Sequence, residues 1–450
     1  MIVMKFGGSS LANGARIRHV AELVQGELRR KPVLVVSAMG DTTDQLLEAA
    51  AAALKTGIVS IERISALHQH TIEELNLDMP AITPLLAELQ ILLVGISLVK
   101  ELTGKTQDYL VSFGERLAAR IVAAYCRSIG MAAKALDAWE GGFVSDSRFT
   151  AADLLPESWE RIPEKILPLL DEGSLPVLTG FIAQDPKGAI TTLGRGGSDL
   201  SATMIAAACQ AEEVQIWKDV DGILTADPRI VAEARPVEAV TYEEAAELAY
   251  FGAQVLHPRA MQPCMRTRTP VRVKNSYNPA AAGTRIVATL DKKRPVLGIT
   301  SRNHIALVDI VSTRMLGQPG FLAELFADFA KHGISVDMVA TSEVSVSVTL
   351  DASYDLEPLK KDLSRIADVE IKTGKAIVTL IGDVDRSSQI LHQAFGVCAA
   401  LGIPVQMVSH GAGKVNISFM VNDTQSVDVV QGLHRHFFGA PVLEGSTACR

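Results

Sequence analysis

Three short stretches of this sequence combine glycines with charged side chains, and the densest is Thr191–Asp199. It reads Thr-Thr-Leu-Gly-Arg-Gly-Gly-Ser-Asp and lies between a strand-like run at 176–182 and an Ala-rich helical run at 200–210. Because glycine has no Cβ, the backbone there can approach a ligand closely, and the start of the helix attracts an anion. Arg195 adds a planar fork that holds a carboxylate or phosphate with two hydrogen bonds. Taken alone, the stretch also fits an ordinary turn with a solvated Arg.

The other two stretches point to phosphate or Mg²⁺, and a separate glutamate can bind an ammonium group. Lys5 ends the first strand-like run beside Gly7 and Gly8, so an ammonium and backbone N–H groups can meet a phosphate, although this is neither a Walker loop nor a dinucleotide fingerprint. The aspartates of 217–229 either shape turns or position Mg²⁺. Glu115 is predicted to lie in the first turn of a helix, where it complements the helix dipole. If it faces the same cleft as the arginine, it can bind an ammonium.

The order of the predicted strands and helices divides the chain into two regions of different fold. Strand-like runs alternate with helical runs up to about residue 290, which indicates an α/β domain with a largely parallel sheet. From residue 304 onward the order is βαββαβ followed by most of a second copy. The run at 296–301 can supply the strand that the second copy lacks, with the first copy inserted into it.

The composition excludes several classes of protein. The chain has 450 residues, 48% of them hydrophobic and 21% charged, with a net charge of -8, which is typical of a globular protein with more than one domain. Without a run of Lys or Arg, neither nucleic acid nor an anionic membrane is predicted as a partner. The apolar run at 85–99 is too short to span a membrane. Five cysteines without a CxxC pair, and no leader before the first strand, predict free thiols and a cytoplasmic location.

Together these stretches resemble aspartate kinases of the monofunctional, lysine-sensitive type, with plant-type variants, in the amino-acid kinase family. The resemblance covers essentially the whole chain. It rests on KFGGSS, SFGERL, TTLGRGGSDLSA, WKDVDGILTADPR, FGAQVLHP and VRVKNSYNP in the family's order, then on STRMLGQPGFLAELF and SVDMVATSEVSVSVTLD. It implies an amino-acid kinase domain over 1–294, with a mostly parallel sheet in three αβα layers, and two ferredoxin-like ACT domains. The first ACT domain is expected over 303–374, and the second over 295–302 with 375–440.

The resemblance implies transfer of a phosphoryl group from MgATP to the side-chain carboxylate of L-aspartate. This is the first step in the biosynthesis of lysine, threonine and methionine (the diaminopimelate pathway). Catalytic roles fall on Lys5 and Asp199, and no side chain is predicted as a metal ligand. The substrate is expected against Ser37, Thr43, Glu115, Arg195, Gly196, Gly197 and Ser198. The nucleotide is expected against Lys5, Gly7, Gly8, Ser9, Lys218, Asp219, Leu224, Arg229 and Gln254.

Two positions depart from many bacterial relatives, which have Lys in place of Gln254 and Tyr in place of Leu224. Loss of a cation that faces phosphate should weaken nucleotide binding unless another cation replaces it. Lys218 stands where those relatives often carry Thr, so we expect it to be the replacement.

The C-terminal half resembles a lysine sensor. The family places inhibitory lysine at an interface between ACT domains, on the positions of Met315, Gln318, Phe321, Leu322, Val336, Asp337, Ser342 and Glu343. Among these residues, Asp337 and Glu343 can balance the ammonium groups of lysine, and the helix that follows residue 320 can bind the carboxylate of lysine. A homodimer through the ACT domains, or a tetramer, is expected. The alternative is a dimerisation platform without a ligand.

Other readings remain open. Glutamate 5-kinase, acetylglutamate kinase and UMP kinase share the glycine loops but lack the paired ACT tail. A catalytically silent lysine sensor would have lost the charged residues that this chain keeps, and a fusion to homoserine dehydrogenase is not expected because the chain ends at Arg450. The effector is lysine alone, lysine with S-adenosylmethionine, or threonine. No role is predicted for 441–450.

Overall fold

A computed structural model describes residues 1–78, 82–251, 256–290, 295–316, 319–410 and 415–439. Contacts divide the chain into two compact units. The first comprises Met1–Ile223, Glu238–Ala246 and Val255–Leu290, and the second Leu224–Val237, Glu247–Gln254 and Asp291–Arg450. Within the described residues, no helix combines the length and apolar character that crossing a bilayer needs.

The first unit is an eight-stranded, mostly parallel sheet with helices. Its strands are β1 (Ile2–Phe6), β2 (Pro32–Val36), β3 (Ala133–Leu136), β4 (Leu175–Thr179), β5 (Ile182–Gln184), β6 (Ile190–Thr192), β7 (Glu213–Lys218), β8 (Ala239–Thr241), β9 (Val271–Asn275) and β10 (Thr284–Val287). Its helices are α1 (Gly14–Glu27), α2 (Thr42–Thr56), α3 (Glu62–Glu74), α4 (Thr83–Val99), α5 (Gly104–Ser128), α6 (Ser158–Asp171), α7 (Gly197–Ala208) and α9 (Pro258–Thr267). Helix α8 (Tyr242–Phe251) runs through both units.

The sheet order is β3-β4-β2-β1-β7-β9-β10-β8, while β5 and β6 form a separate hairpin. Only β9 and β10 pair antiparallel within the large sheet. Every residue of β1, β2 and β4 is buried, as expected for central parallel strands covered on both faces. The carboxyl ends of β1, β2 and β7 therefore meet at one edge, which is where open α/β sheets bind ligands.

Two local predictions for this unit were wrong. The strand expected over 177–182 is interrupted at Gly180 and Phe181, since Phe181 has a φ of 67° and turns the chain. The helix that was expected to have Glu115 in its first turn begins at Gly104, because the Thr103 hydroxyl accepts a hydrogen bond from the backbone N–H of Thr106 and caps it. Glu115 therefore lies in the middle of α5 and not in a first turn.

The second unit is a six-stranded antiparallel sheet, in the order β12-β13-β11-β14-β16-β15, with helices. Its strands are β11 (Val296–Val311), β12 (Met338–Thr341), β13 (Ser345–Asp351), β14 (Asp368–Gly382), β15 (Met407–Ser409) and β16 (Asn416–Asn422). Its helices are α10 (Phe321–Lys331), α11 (Glu357–Leu363), α12 (Ser387–Ala400) and α13 (Ser426–Phe438).

Strands β11 and β14 each belong to both βαββαβ repeats. We expected separate strands at 296–301 and 304–312, and at 369–372 and 376–381, but each pair is continuous. The expected breaks remain as left-handed residues, His304 with φ 58° and Gly374 with φ 69°. Residues 296–302 pair with 377–382, and 305–311 pair with 345–351, so one sheet serves both repeats.

Each repeat has its own apolar core. The first core includes Phe321, Leu325 and Phe329 of α10, which pack on β11 and β13. The second includes Phe419 and Leu433, and it also buries Ala226 and Val231 from the segment 224–237. Cys126, Cys209, Cys264 and Cys398 are buried free thiols, while Cys449 lies outside the described residues.

Candidate active site

A cavity of about 490 Å³ lies at the carboxyl ends of β1 and β2 in the first unit. Its walls come from both strand ends, from the centre of α5 and from the loop that leads into α7. It is lined by Lys5, Gly8, Ser37, Ala38, Gly40, Thr43, Glu115, Phe181, Gly194, Arg195, Gly196, Gly197, Ser198 and Asp199. The structure thus brings the residues predicted for the substrate together with Lys5, Gly8 and Asp199.

Asp199 lies between two lysines. Its Oδ1 is 2.7 Å from Lys5 Nζ and its Oδ2 is 3.3 Å from Lys218 Nζ. Strands β1 and β7 are parallel neighbours in which Lys5 pairs with Ile216, so Lys218, two residues further on, points to the same face of the sheet. One carboxylate in the first turn of α7 therefore holds two cations at the sheet edge.

Burial and charge act in opposite directions on this group of three. Burial alone would raise the pKa of Asp199, but Lys5 and Lys218 outweigh it, so the pKa lies below its usual value. Burial lowers the pKa of Lys218, while Asp199 raises it and Lys5 lowers it further. The arrangement leaves one excess positive charge at the carboxyl ends of β1 and β7, which suits an anionic ligand.

Glu115 is a buried carboxylate in the wall of the cavity, with 3% of its surface exposed. Its Oε1 accepts a hydrogen bond of 3.1 Å from the backbone N–H of Ala38, just after β2. Its Oε2 is buried and accepts no hydrogen bond from any described residue. Burial raises its pKa to about 8, against which the Ala38 N–H and the charge of Lys5 act weakly. A cationic ligand would supply the partner that Oε2 lacks.

Close backbone approach explains two of the glycines. A Cβ on Gly8 would lie 2.8 Å from the Ala38 carbonyl oxygen, so a side chain cannot be accommodated there. Gly196 has a φ of 74°, and a Cβ on it would lie 2.7 Å from His257 Cβ. The loop of Arg195 is therefore packed directly against the start of α9.

His257 has a structural role. Its Nδ1 accepts a hydrogen bond from the Arg259 backbone N–H and caps α9. Burial, followed by the charges of Arg195 and Arg259, lowers its pKa. A neutral imidazole beside Arg195 leaves the guanidinium as the cation of this loop.

The predicted nucleotide residues are spread more widely. Asp219 is exposed after β7, and the exposed Ser9 accepts a hydrogen bond of 3.1 Å from Tyr277 on its backbone oxygen. The Gly7 N–H donates to the Trp217 carbonyl at 3.4 Å, which ties the first loop to β7. Leu224 and Arg229 belong to the second unit, where Arg229 pairs with Asp227 at 2.6 Å, and Gln254 lies outside the described residues.

The residues predicted for lysine lie around β12 and the start of α10. Phe321 is buried, Leu322 is 38% exposed and Glu343 is exposed. Arg302 donates to Asp337 at 2.8 Å, so this carboxylate is already paired with a cation. Ser342 bonds Ser345 at 2.6 Å in the turn between β12 and β13. Met315 and Val336 are partly buried at the edge of the first core, and Gln318 lies outside the described residues.

Sequence reasoning missed Phe181 in the cavity wall, and Asp108 and Arg259, which hold the segments that lead to it. Asp108 on α5 accepts hydrogen bonds from Thr150 and Thr192, the Arg259 side chain donates to the Leu193 carbonyl at 2.9 Å, and Phe181 forms part of the wall. Asp108 left no signal in the sequence, because it lies seven residues before Glu115 and therefore outside a helix that was expected to have Glu115 in its first turn.

Comparison with known proteins gives this geometry a family. Residues 1–275 match the amino acid kinase family, and residues 308–356 and 378–437 match an ACT domain. Aspartokinase 1, chloroplastic, of Arabidopsis thaliana is 49% identical over 97% of this chain and 80% of its own length. Lysine-sensitive aspartokinase 3 of Escherichia coli is 34% identical over 97% and 99%. The chain belongs to the aspartokinases.

Solved structures agree with this assignment. The crystal structure of Escherichia coli aspartokinase III in complex with aspartate and ADP (R-state) is similar with a TM-score of 0.81 and 33% identity, over 97% of this chain and 100% of that one. The complex of the same enzyme with lysine and aspartate (T-state) has the same TM-score and identity. An aspartokinase with a parallel-sheet kinase domain followed by ACT domains was predicted from the sequence, and this prediction is confirmed.

Proposed function

We propose that the chain transfers the γ-phosphoryl group of ATP to the side-chain carboxylate of L-aspartate and forms 4-phospho-L-aspartate. The observation that carries this proposal is one cavity whose two sides suit ligand groups of opposite charge. Lys5 and Lys218 converge on Asp199 at the sheet edge, while Glu115 offers a buried oxygen without a hydrogen-bond partner among the described residues. Phosphate suits the first side and an amino group suits the second.

The roles follow from charge. The substrate carboxylate is already ionised at neutral pH, so attack on phosphorus requires no general base. Lys5 and Lys218 offset the negative charge that spreads over the transferred group, and Asp199 holds both ammonium groups in place. Glu115 accepts from the substrate ammonium, and Arg195 binds a substrate carboxylate through its planar fork. Ser37, Thr43 and the N–H groups of 196–198 border the same space.

Magnesium fits this site as an ion that arrives on the nucleotide. Among the described residues, no three His, Cys, Asp or Glu side chains lie together in a way that could hold a metal ion. Asp199 is already shared by two lysines, and Mg²⁺ is usually held by phosphates and water with one or two carboxylates. When bound, it supplies further charge neutralisation on the phosphates. We propose Gly7, Gly8, Ser9, Lys218, Asp219, Leu224, Arg229 and Gln254 for the nucleotide itself.

We further propose that the second unit senses lysine and joins two chains. The proposed boundaries are 1–294 for the kinase domain, 303–374 for the first ACT domain, and 295–302 with 375–440 for the second. The ACT match and the pairing of 296–302 with 377–382 support them. The relative of 34% identity is lysine-sensitive by name. Lysine would lie against Met315, Gln318, Phe321, Leu322, Val336, Asp337, Ser342 and Glu343, in a homodimer or a tetramer.

The compartment is proposed from composition alone. The free thiols support a cytoplasmic location, whereas three Arabidopsis relatives are chloroplastic by name. The reaction would feed the biosynthesis of lysine, threonine and methionine.

A panel of acceptors tests the proposed reaction. The purified chain is incubated with MgATP and, in turn, L-aspartate, L-glutamate, N-acetyl-L-glutamate and UMP, and ADP release is measured. We expect turnover with aspartate at least about tenfold above the others, since one methylene changes specificity by about 10- to 200-fold. Turnover with another acceptor in preference to aspartate would overturn the proposal, and no turnover with any would favour a silent sensor.

A further inference from the structure

Asp108 is a buried carboxylate that lies outside the residues assigned to substrate or nucleotide. It belongs to α5, where seven residues (two helical turns, about 10.5 Å) separate it from Glu115, so both side chains leave the same face of one helix. Only 1% of its surface is exposed. Burial raises its pKa, although three hydrogen bonds act against the shift. A carboxylate buried in this way requires an explanation.

The three hydrogen bonds connect α5 to two loops, one that contains Thr150 and one that begins at Thr192, the last residue of β6. Oδ2 accepts from the backbone N–H of Thr150 and of Thr192, both at 2.9 Å. Oδ1 accepts from the Thr192 hydroxyl at 2.8 Å. The two loops also bond each other, since the Ala152 N–H donates to the Thr192 carbonyl at 2.8 Å. One side chain therefore fixes both segments to the helix.

The segments that Asp108 holds lead directly to Arg195. Thr192 ends β6, three residues before the arginine. Thr150 has a φ of 73°, a left-handed conformation that non-glycine residues rarely adopt and that surrounding contacts must maintain. Gly194 packs on that residue, because a Cβ on Gly194 would lie 3.5 Å from the Thr150 carbonyl oxygen. A shift of Thr150 or Thr192 would move the backbone that carries Arg195.

The same helix thus anchors both ends of the substrate site. Glu115 is fixed on α5 by its own backbone, and the loop of Arg195 is fixed to α5 by Asp108. We propose that Asp108 is a positioning residue that sets the span between Glu115 and Arg195. With Glu115 on the amino group and Arg195 on the side-chain carboxylate, this span matches aspartate and rejects glutamate, whose two groups are one methylene further apart. This inference rests on the proposed function, because it uses the roles given there to Glu115 and Arg195.

The test uses Asp108→Asn in the full chain. The carboxamide keeps the size of the side chain. However, it offers one oxygen and an NH₂ group to three donors that in the parent chain meet two carboxylate oxygens. We expect the KM for L-aspartate to rise by about tenfold or more and the preference for aspartate over glutamate to fall by at least about fivefold. The KM for ATP should stay within about twofold of the parental value, since Lys5 and Lys218 lie on β1 and β7 and not on the segments that Asp108 holds.

Asp185→Asn is the matched control. Asp185 is 5% exposed and also accepts three hydrogen bonds of 2.8–2.9 Å, but from Ser147, Lys187 and Ala189 around the β5–β6 turn. We expect its KM values and its aspartate preference to stay within about twofold of the parent chain. An equal effect of both substitutions would overturn the inference, because loss of any buried carboxylate would then suffice.

The remaining outcomes separate the two proposals. A parent chain without aspartate turnover would contradict the proposed function. An active parent chain with an unchanged Asp108→Asn variant, or a variant that loses only kcat while KM and the aspartate preference stay constant, would overturn the role of Asp108.

If circular dichroism shows that the Asp108→Asn variant does not fold, Thr192→Val decides, since it removes only the hydrogen bond of the hydroxyl group. It should raise the KM for aspartate less strongly, Thr192→Ser should restore it, and a Val variant without effect would contradict the inference.

Discussion

The two units differ in how far their proposed site residues and neighbouring apolar side chains are buried. In the first unit, Lys5, Glu115 and Asp199 are buried in the walls of one cavity of a single chain. In the second unit, the apolar residues Leu316 and Val339, which follow Met315 and Asp337 closely in the sequence, are 63% and 40% exposed. One chain by itself forms the cavity that the residues proposed for the substrate line. The proposed lysine site has the exposed apolar border that a second copy would cover.

The largest effect is expected from Lys5→Met. It removes one of the two cations on Asp199 and the charge that faces the phosphates, so kcat should fall by about 10³-fold, the upper range for the loss of one group that stabilises the transition state. Lys31→Met is the control, because Lys31 pairs with Asp171 at 3.2 Å on the surface. It should keep kcat within about twofold, as expected for an exposed ion pair. Full activity of the Lys5 variant would contradict the proposed phosphate role.

Lys218→Thr tests whether this lysine replaces the cation missing at Gln254. The KM for ATP should rise by about tenfold, because a charge-assisted contact to phosphate is lost, while the KM for aspartate changes less. Lys274→Thr is the matched control on the neighbouring strand β9, since Lys274 Nζ lies over the Trp217 ring at 4.6 Å. Steady-state kinetics would contradict the replacement if both variants kept the parental KM for ATP.

Asp337→Asn probes the second unit. It should raise the lysine concentration that gives half inhibition by about tenfold and leave kcat without lysine unchanged, since one charged contact to the effector is weakened. Asp351→Asn is the control, because Asp351 also accepts from Arg302, at 2.9 Å, and is not among the residues predicted for lysine. If both variants shift inhibition equally, the effect comes from Arg302 and not from a lysine contact.

The smallest effect is a pH dependence of stability caused by Glu115. Its pKa is about 8 in the folded chain, whereas an ordinary glutamate, as in the unfolded chain, has a pKa of 4.5. Between these two pH values the folded chain therefore binds more protons than the unfolded chain. The contribution of Glu115 to the free energy of unfolding is therefore fully present below pH 4.5, and it is lost as the pH rises through 8. Glu115→Gln removes this loss, so its melting temperature should exceed that of the parent by at least about 2 °C more at pH 8.5 than at pH 5. An advantage that is the same at both pH values would contradict the buried, protonated Glu115.

Much of the first unit could be predicted because local rules and tertiary structure agree there. Lys5, Gly8 and Arg195 lie next to strand ends and glycines, and parallel strands necessarily bring such ends to one edge. The contact of Lys218 with Asp199 could not be read from the sequence, since it depends on β1 and β7 being neighbours. The role of Asp108 was hidden for the same reason, because its partners lie 42 and 84 residues away.

The mistakes at element boundaries also have local causes. Thr103 caps α5 well before the motif that contains Glu115, and a threonine cap is a weaker sequence signal than the motif. In the second unit, His304 and Gly374 have turn-like backbone angles but lie within continuous strands. A single left-handed residue makes a bulge when both flanking segments find partners in the same sheet, and the pairing is a tertiary property.

The most direct measurement is the formation of aspartyl hydroxamate from L-aspartate, MgATP and hydroxylamine across a titration with lysine. The acyl phosphate reacts with hydroxylamine, so the assay reports the product itself. We predict hydroxamate formation without lysine and a fall as lysine is added. Formation that is indifferent to lysine would leave the kinase role in place and direct the search to threonine or S-adenosylmethionine. No hydroxamate from aspartate would contradict the central claim that the cavity of the first unit phosphorylates this amino acid.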